Sequence, residues 1–215
     1  MRPIYLISKT FHLDRVEVIH IPILSIHFLT PDIDFSLYEG IVITSKQGAL
    51  ALKHYCLDWE KLRIICVGES TAEEVKRQGG IHIEMAQGYG ETISNVLRKY
   101  TGKWLYLRPK MIASSWPSCA REEGMILDEV IIYETTCNEA MEKIEIADNG
   151  VLIFTSPSSI ECFFQKYLLR STHDIVVIGK TTQNALPLGI KSILSETTSV
   201  ESCVEKAQEL SFLRL

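Results

Sequence analysis

The chain has 215 residues, 46% of them hydrophobic and 23% charged, with a formal net charge of −5 at pH 7. This is the composition of an ordinary globular protein, long enough for one large domain or two of about 100 residues. The acidic balance argues against nucleic acid as the main partner, and no apolar run approaches the roughly 18 to 20 residues that span a bilayer.

The N-terminus, Met1-Arg2-Pro3-Ile4-Tyr5-Leu6-Ile7, carries one basic residue, a short apolar run and no small-residue cleavage site, so it reads as a first strand rather than a signal peptide. A cytoplasmic address is expected. Val18–Ile21 is a second apolar run. Gly40-Ile41-Val42-Ile43 delivers the chain into Thr44-Ser45-Lys46, and Ile64-Ile65-Cys66-Val67 into Gly68-Glu69-Ser70-Thr71-Ala72, where Ser70-x-x-Glu73 reads as a capping box. Ile93, Val96, Leu97 and Tyr100 repeat at helical spacing. After Thr101-Gly102 come a midpoint strand around Tyr106-Leu107-Arg108 and another over Glu129–Ile132. Gly150–Phe154 then runs into Thr155-Ser156-Pro157, with Pro157 suited to a first helical position and Ser158-x-x-Glu161 a competing cap. Ile160, Phe163, Phe164, Tyr167 and Leu168 form the next helical face. Ile175–Ile178 runs into Gly179-Lys180-Thr181-Thr182, and Thr198-x-x-Glu201 opens a last helix carrying Val200, Cys203, Val204 and Ala207.

Much of this is written twice. An offset of 111 relates Thr44 to Thr155, Gly68 to Gly179 and Thr71 to Thr182, and the segments ending at Pro22 and Tyr133 fit the same spacing. A repeated supersecondary plan is therefore expected, joined near Tyr100-Thr101-Gly102. Short Ile- and Val-rich runs bounded by Gly, Ser or Thr and followed by helical faces specify an α/β protein with two parallel sheets.

The six cysteines, Cys56, Cys66, Cys119, Cys137, Cys162 and Cys203, include no C-x-x-C pair and are expected to be mostly small core hydrophobes in a reducing cytosol. The six histidines lack metal-ligand spacing, so no metal is expected. In open α/β sheets a ligand lies beyond the carboxyl ends of the strands, which here are the four repeated strand-to-helix corners. First-turn N–H groups and the helix dipole favour an anion there, and Lys46, Arg108, Lys110 and Lys180 add charge. Four corners, two per copy, would then surround a polyanion between two lobes. Serine and threonine at a helix start are equally suited to capping it, so no single corner decides the matter.

The series Ile43-Thr44-Ser45-Lys46, Val67-Gly68-Glu69-Ser70-Thr71-Ala72, Tyr106-Leu107-Arg108, Tyr133-Glu134-Thr135, Phe154-Thr155-Ser156-Pro157-Ser158 and Ile178-Gly179-Lys180-Thr181-Thr182 resembles the uroporphyrinogen-III synthase family across essentially the whole chain. The resemblance implies two flavodoxin-like lobes joined by a two-stranded β-ladder. Lobe one would be 1–25 with 138–215, lobe two 26–137, and the linker strands would lie near 22–28 and 130–137. It also implies a cofactor-free, monomeric lyase of haem biosynthesis. Such an enzyme cyclises hydroxymethylbilane, a linear tetrapyrrole with eight carboxylates, losing water and inverting ring D. Tyr133 would be the acid near the departing hydroxyl. Thr44, Ser45, Lys46, Gly68, Ser70, Thr71, Arg108, Ser156, Pro157, Ser158, Gly179, Thr181 and Thr182 would contact the substrate. The first strand ends Ser8-Lys9-Thr10 where relatives commonly carry Thr-Arg-Pro, so Lys9 keeps the charge without the planar fork. A non-catalytic two-lobed module binding an anion or metabolite would share this architecture. A nucleotide-dependent Rossmann enzyme would need G-x-G-x-x-G or a P-loop, and the chain has neither.

Overall fold

The computed structural model describes residues 1–9, 18–86, 91–112 and 114–212, apart from the side chains of Leu57 and Glu91; Thr10 lies outside the described residues. In chain order these form β1 (Ile4–Ser8), β2 (Val18–Pro22), β3 (Leu24–Phe28), β4 (Gly40–Ile43), α1 (Lys46–Ala51), β5 (Arg63–Val67), α2 (Glu69–Arg77), β6 (His82–Ala86), α3 (Glu91–Leu97), β7 (Trp104–Pro109), α4 (Trp116–Glu122) and β8 (Leu127–Cys137). There follow β9 (Val151–Phe154), α5 (Pro157–Lys166), β10 (Asp174–Val177), α6 (Lys180–Gln183), β11 (Ile193–Leu194) and α7 (Val200–Phe212).

The chain divides into two compact units, Met1–Ile26 with Thr136–Leu215 and His27–Thr135, and it passes from one to the other within β3 and β8. These two strands are neighbours in the sheet. They run antiparallel, because Leu29 N–H bonds to the Ile132 carbonyl at 2.9 Å and Asn138 N–H to the Ile23 carbonyl at 2.8 Å. The other described strand pairs are parallel. The first unit orders its strands β2-β1-β9-β10-β11, the flavodoxin-like order 2-1-3-4-5. The second has the same spatial order, β8-β7-β4-β5-β6, with the strands latest in its chain standing where the first unit has its earliest.

The central strands are apolar on both faces because helices cover both. In β9, Leu152 and Phe154 pack towards α5 with Ile160 and Phe163, whereas Val151 and Ile153 pack towards α7 with Cys203, Val204 and Ala207. Phe154 and Phe163, both fully buried, meet edge to face with centroids 5.2 Å apart; each contributes about 1.5–3 kcal/mol by burial alone. Leu168, expected on the α5 face, is exposed because the helix ends at Lys166. The glycine opening each repeated apolar run has a steric reason. A Cβ on Gly40 would sit 2.5 Å from the Trp104 ring and 2.6 Å from the Arg63 carbonyl, and one on Gly150 would sit 2.8 Å from the Tyr5 ring.

The ladders correct one register. Leu6 pairs with Ile153 and His20, and Tyr106 pairs with Val42 and Glu129. With Val42 and Ile153 equivalent at offset 111, His20 corresponds to Glu129 and Pro22 to Ile131, an offset of 109 rather than 111. A bulge between Arg108 and Pro109 then sets Tyr133 beside Pro109.

Three local expectations also change. Gly68 is the N-cap of α2, at φ +79°, which places Ser70 inside the first turn instead of at the cap. Ser199, not Thr198, supplies the oxygen that takes the Ser202 N–H, at 3.1 Å. Cys137 and Cys162 form a disulfide with an S–S distance of 2.03 Å, so these two are not unpaired hydrophobes. The fold brings the end of β8 onto α5 across 25 residues, a proximity that no local spacing announces. Cys56 and Cys119 are exposed; Cys66 and Cys203 are buried thiols, and burial pushes that of Cys66 up to about 12.

Candidate active site

At the carboxyl end of the second unit's sheet the chain leaves β4 through Thr44 and Ser45. Ser45 adopts extended backbone angles and caps α1, its Oγ accepting the Gly48 N–H at 3.2 Å. The same Oγ lies 2.6 Å from the Tyr133 hydroxyl, and Thr44 Oγ1 lies 2.8 Å from the Tyr106 hydroxyl. Two tyrosines from the neighbouring strands β7 and β8 thus hold two consecutive residues of one turn. Both phenols are buried, at 2% and 5% exposure for Tyr106 and Tyr133. Burial raises the pKa of each above its ordinary value of 10, while the hydrogen bonds to Thr44 and Ser45 pull the other way. The adjoining corner after β5 differs in kind. Gly68 makes no side-chain cap, an added Cβ would meet only open space there, and the backbone needs glycine at positive φ. The first N–H groups of α2 therefore have no capping side chain.

The first unit repeats this division. Ser156, equivalent to Ser45, caps α5 with the same extended backbone and takes the Ser159 N–H at 3.2 Å, while the Ser159 hydroxyl reaches back to the Ser156 N–H at 3.3 Å. Pro157 fills the first helical position, so Ser158 caps nothing. Gly179, equivalent to Gly68, opens α6 without a side-chain cap. In each unit a serine-capped corner and an uncapped glycine corner stand at the carboxyl ends of adjacent strands.

The sequence profile of the uroporphyrinogen-III synthase HemD family matches residues 8–205. The chain belongs to the uroporphyrinogen-III synthase family. It is a cyclising lyase of tetrapyrrole biosynthesis. The fold agrees with solved structures. The uroporphyrinogen-III synthetase of Helicobacter pylori 26695 superposes with a TM-score of 0.81 at 22% identity, covering 98% of this chain and 100% of that one. A mutant uroporphyrinogen III synthase from the extreme thermophile Thermus thermophilus gives 0.59 at 12% identity, covering 92% and 90%. Comparison with curated protein sequences gives no match.

The residues expected to serve a synthase fall into four groups. Tyr133, Thr44 and Ser45 meet in one hydrogen-bonded cluster, with exposed Lys46 next in the chain. Gly68 and Ser70 in the second unit, and Ser156, Pro157, Ser158, Gly179 and Thr181 in the first, lie exposed or half-buried at their corners. Thr71 and Thr182, related by the repeat, are each only 3% exposed, so their corners offer backbone N–H groups rather than these hydroxyls. Arg108 is already engaged: its Nε lies 2.8 Å from Glu129 Oε2, and its Nη1 donates to the carbonyls of Pro109 and Lys110 at 3.0 and 3.1 Å. Lys110 pairs with Glu134 at 2.7 Å. No motif in the sequence assigns Tyr106 a role. Its signal was the period of two in β7, which puts Tyr106 and Arg108 on one face at the carboxyl end of a strand.

Proposed function

We propose that Tyr133 is the acid of the cyclisation, set in place by Ser45. The observation that carries this reading is the 2.6 Å contact between the two hydroxyls, with Ser45 Oγ also accepting the Gly48 N–H. An oxygen that accepts from the helix can give its own proton to the phenol oxygen. That leaves the phenol's proton for a ligand. Tyr133 then protonates the terminal hydroxyl of hydroxymethylbilane as its C–O bond breaks, and water departs. The pyrrole left behind is an electrophilic azafulvene, attacked by the substituted carbon of the far ring to give a spiro intermediate. The bond from that carbon to its original methylene bridge then breaks, and the azafulvene so formed is attacked by the unsubstituted carbon of the same ring, which closes the macrocycle with ring D inverted. The proton released when the new ring regains aromaticity restores the phenol.

The remaining work is holding a flexible polycarboxylate. The N–H groups at the Gly68 and Gly179 corners, with Ser70 and Thr181 beside them, suit carboxylates, and Lys46 adds a charge at the Ser45 corner. Ser156, Pro157 and Ser158 form the matching edge in the first unit. Arg108 we assign to holding the loop after β7, since binding a substrate carboxylate would take it from Glu129. The protein is assigned to the cytoplasm and acts as a monomer on a small-molecule substrate.

The test supplies hydroxymethylbilane and separates type I from type III product after oxidation. Wild-type protein is expected to give type III, and Tyr133→Phe to lower kcat about 10²-fold while leaving residual turnover. An unchanged kcat in that variant removes the acid role, and only type I product from folded wild-type protein refutes the assignment.

A further inference from the structure

Tyr106 sits beside the same turn, and the acid role of Tyr133 leaves it no task. Its hydroxyl is 2.8 Å from Thr44 Oγ1, and its ring rests on Trp116 of α4 with centroids 4.7 Å apart. The hydroxyl also interacts with the Trp116 side chain, but the repeated sheet plan does not call for a polar group at this position. The register-equivalent position in the first unit is Leu6, which packs against Ile153 as Tyr106 packs against Val42 and is fully buried without any polar group. A phenylalanine would fill the same space. A buried hydroxyl must instead be matched by a partner or cost free energy, so a hydroxyl kept here points to a use outside packing.

The use follows from the turn. Thr44 and Ser45 are joined by one peptide, and each is gripped by a phenol, Thr44 by that of Tyr106 on β7 and Ser45 by that of Tyr133 on β8 beyond it. Fixing Thr44 limits how far Ser45 can rotate, and Ser45 has to serve two partners, Gly48 N–H and the Tyr133 hydroxyl. We infer that Tyr106 is a positioning residue for this reaction, acting through Thr44 to hold the turn on which Ser45 presents itself to Tyr133. The inference rests on Tyr133 as the acid. The two phenols also feel each other electrostatically, charge on Tyr106 raising the pKa of Tyr133.

The experiment compares Tyr106→Phe, Tyr133→Phe and the double variant, reading kcat, KM, Tm and product isomer with hydroxymethylbilane. Tyr106→Phe is expected to lower kcat about threefold to tenfold, with KM changed by less than about twofold, the weight of one misplaced neutral hydrogen bond. In the Tyr133→Phe background it is expected to cause no further loss, because residues acting as one unit are not additive. If Tyr106→Phe lowers Tm while kcat stays at the wild-type value, the residue is structural and the inference fails. If the two single losses multiply in the double variant, Tyr106 acts independently of Tyr133 and the inference fails too. If Tyr133→Phe alone slows turnover, the acid assignment stands without this inference; if Tyr133→Phe changes nothing, both fall.

Discussion

Arg2, the second residue of the chain, is the anchor of the first unit, and its removal has a calculable cost. It is 3% exposed. Its Nη1 lies 2.5 Å from Asp174 Oδ2 and 3.4 Å from the Leu210 carbonyl, its Nε 2.5 Å from the Asn149 carbonyl, and its Nη2 3.3 and 3.4 Å from those of Thr172 and Gly150. The guanidinium thereby ties β1 to the segments leading into β9 and β10 and to the last turn of α7. Arg2→Ala would leave a largely buried carboxylate without this charge and four carbonyls without this donor. Breaking a buried pair in this way costs about 3–5 kcal/mol. At roughly 2–4 °C per kcal/mol for a chain of this size, Tm should fall by roughly 6 to 20 °C. Arg2→Lys keeps the charge but not the fork, and should fall between. Arg2→Met with Asp174→Leu, which removes both charges, should recover most of the loss. Thermal and urea denaturation report these values, and turnover per folded molecule should be unaffected because these contacts are at the amino end of the sheet. A Tm for Arg2→Ala within about 2 °C of wild type would refute the assignment of Arg2 as an anchor.

Two further outcomes follow from the same structure. Reducing the Cys137–Cys162 bond, or making Cys162→Ser, should lower stability by about 3–4 kcal/mol for a closed loop of this length, read as a drop in urea midpoint under reductant that the serine variant does not show again. The pH dependence of kcat carries a definite sign. An acid works while protonated, and burial holds the Tyr133 phenol above its ordinary value of 10, so its proton is lost only beyond that value. No alkaline fall in kcat assignable to this group is expected between pH 7 and 10 in folded protein; a midpoint near 8 that disappears in Tyr133→Phe would contradict the environment described for it.

The parts legible in the sequence were those governed by local periodicity. Ile- and Val-rich runs ending in Thr44-Ser45 and Thr155-Ser156 are buried parallel strands, and the offset of 111 recurs as two serine caps of nearly identical backbone geometry. The match between the segments ending at Pro22 and Tyr133 slips by two residues, because β2 and β8 are reached from β1 and β7 by different connections and nothing holds the two ladders to one spacing. The bulge after Arg108 was equally hidden, since one extra residue in a strand is invisible to a search at fixed spacing. The strand exchange between units came from the family resemblance; periodicity does not report which sheet a strand joins. Arg2, Tyr106 and the cysteine pair were missed for a common reason. Each draws its meaning from partners far away in sequence, such as Asp174, Thr44 and Cys162, and isolated residues of these types carry no pattern.

The acid assignment is most directly tested by changing the leaving group. A bilane whose terminal hydroxyl is replaced by an ester departs as a carboxylate and needs no proton. If Tyr133 supplies the proton, the deficit of Tyr133→Phe against wild type, about 10²-fold with the hydroxyl substrate, should shrink to a few-fold with the ester. An equal deficit with both substrates would contradict the account, leaving Tyr133 as a group that shapes or binds but does not protonate.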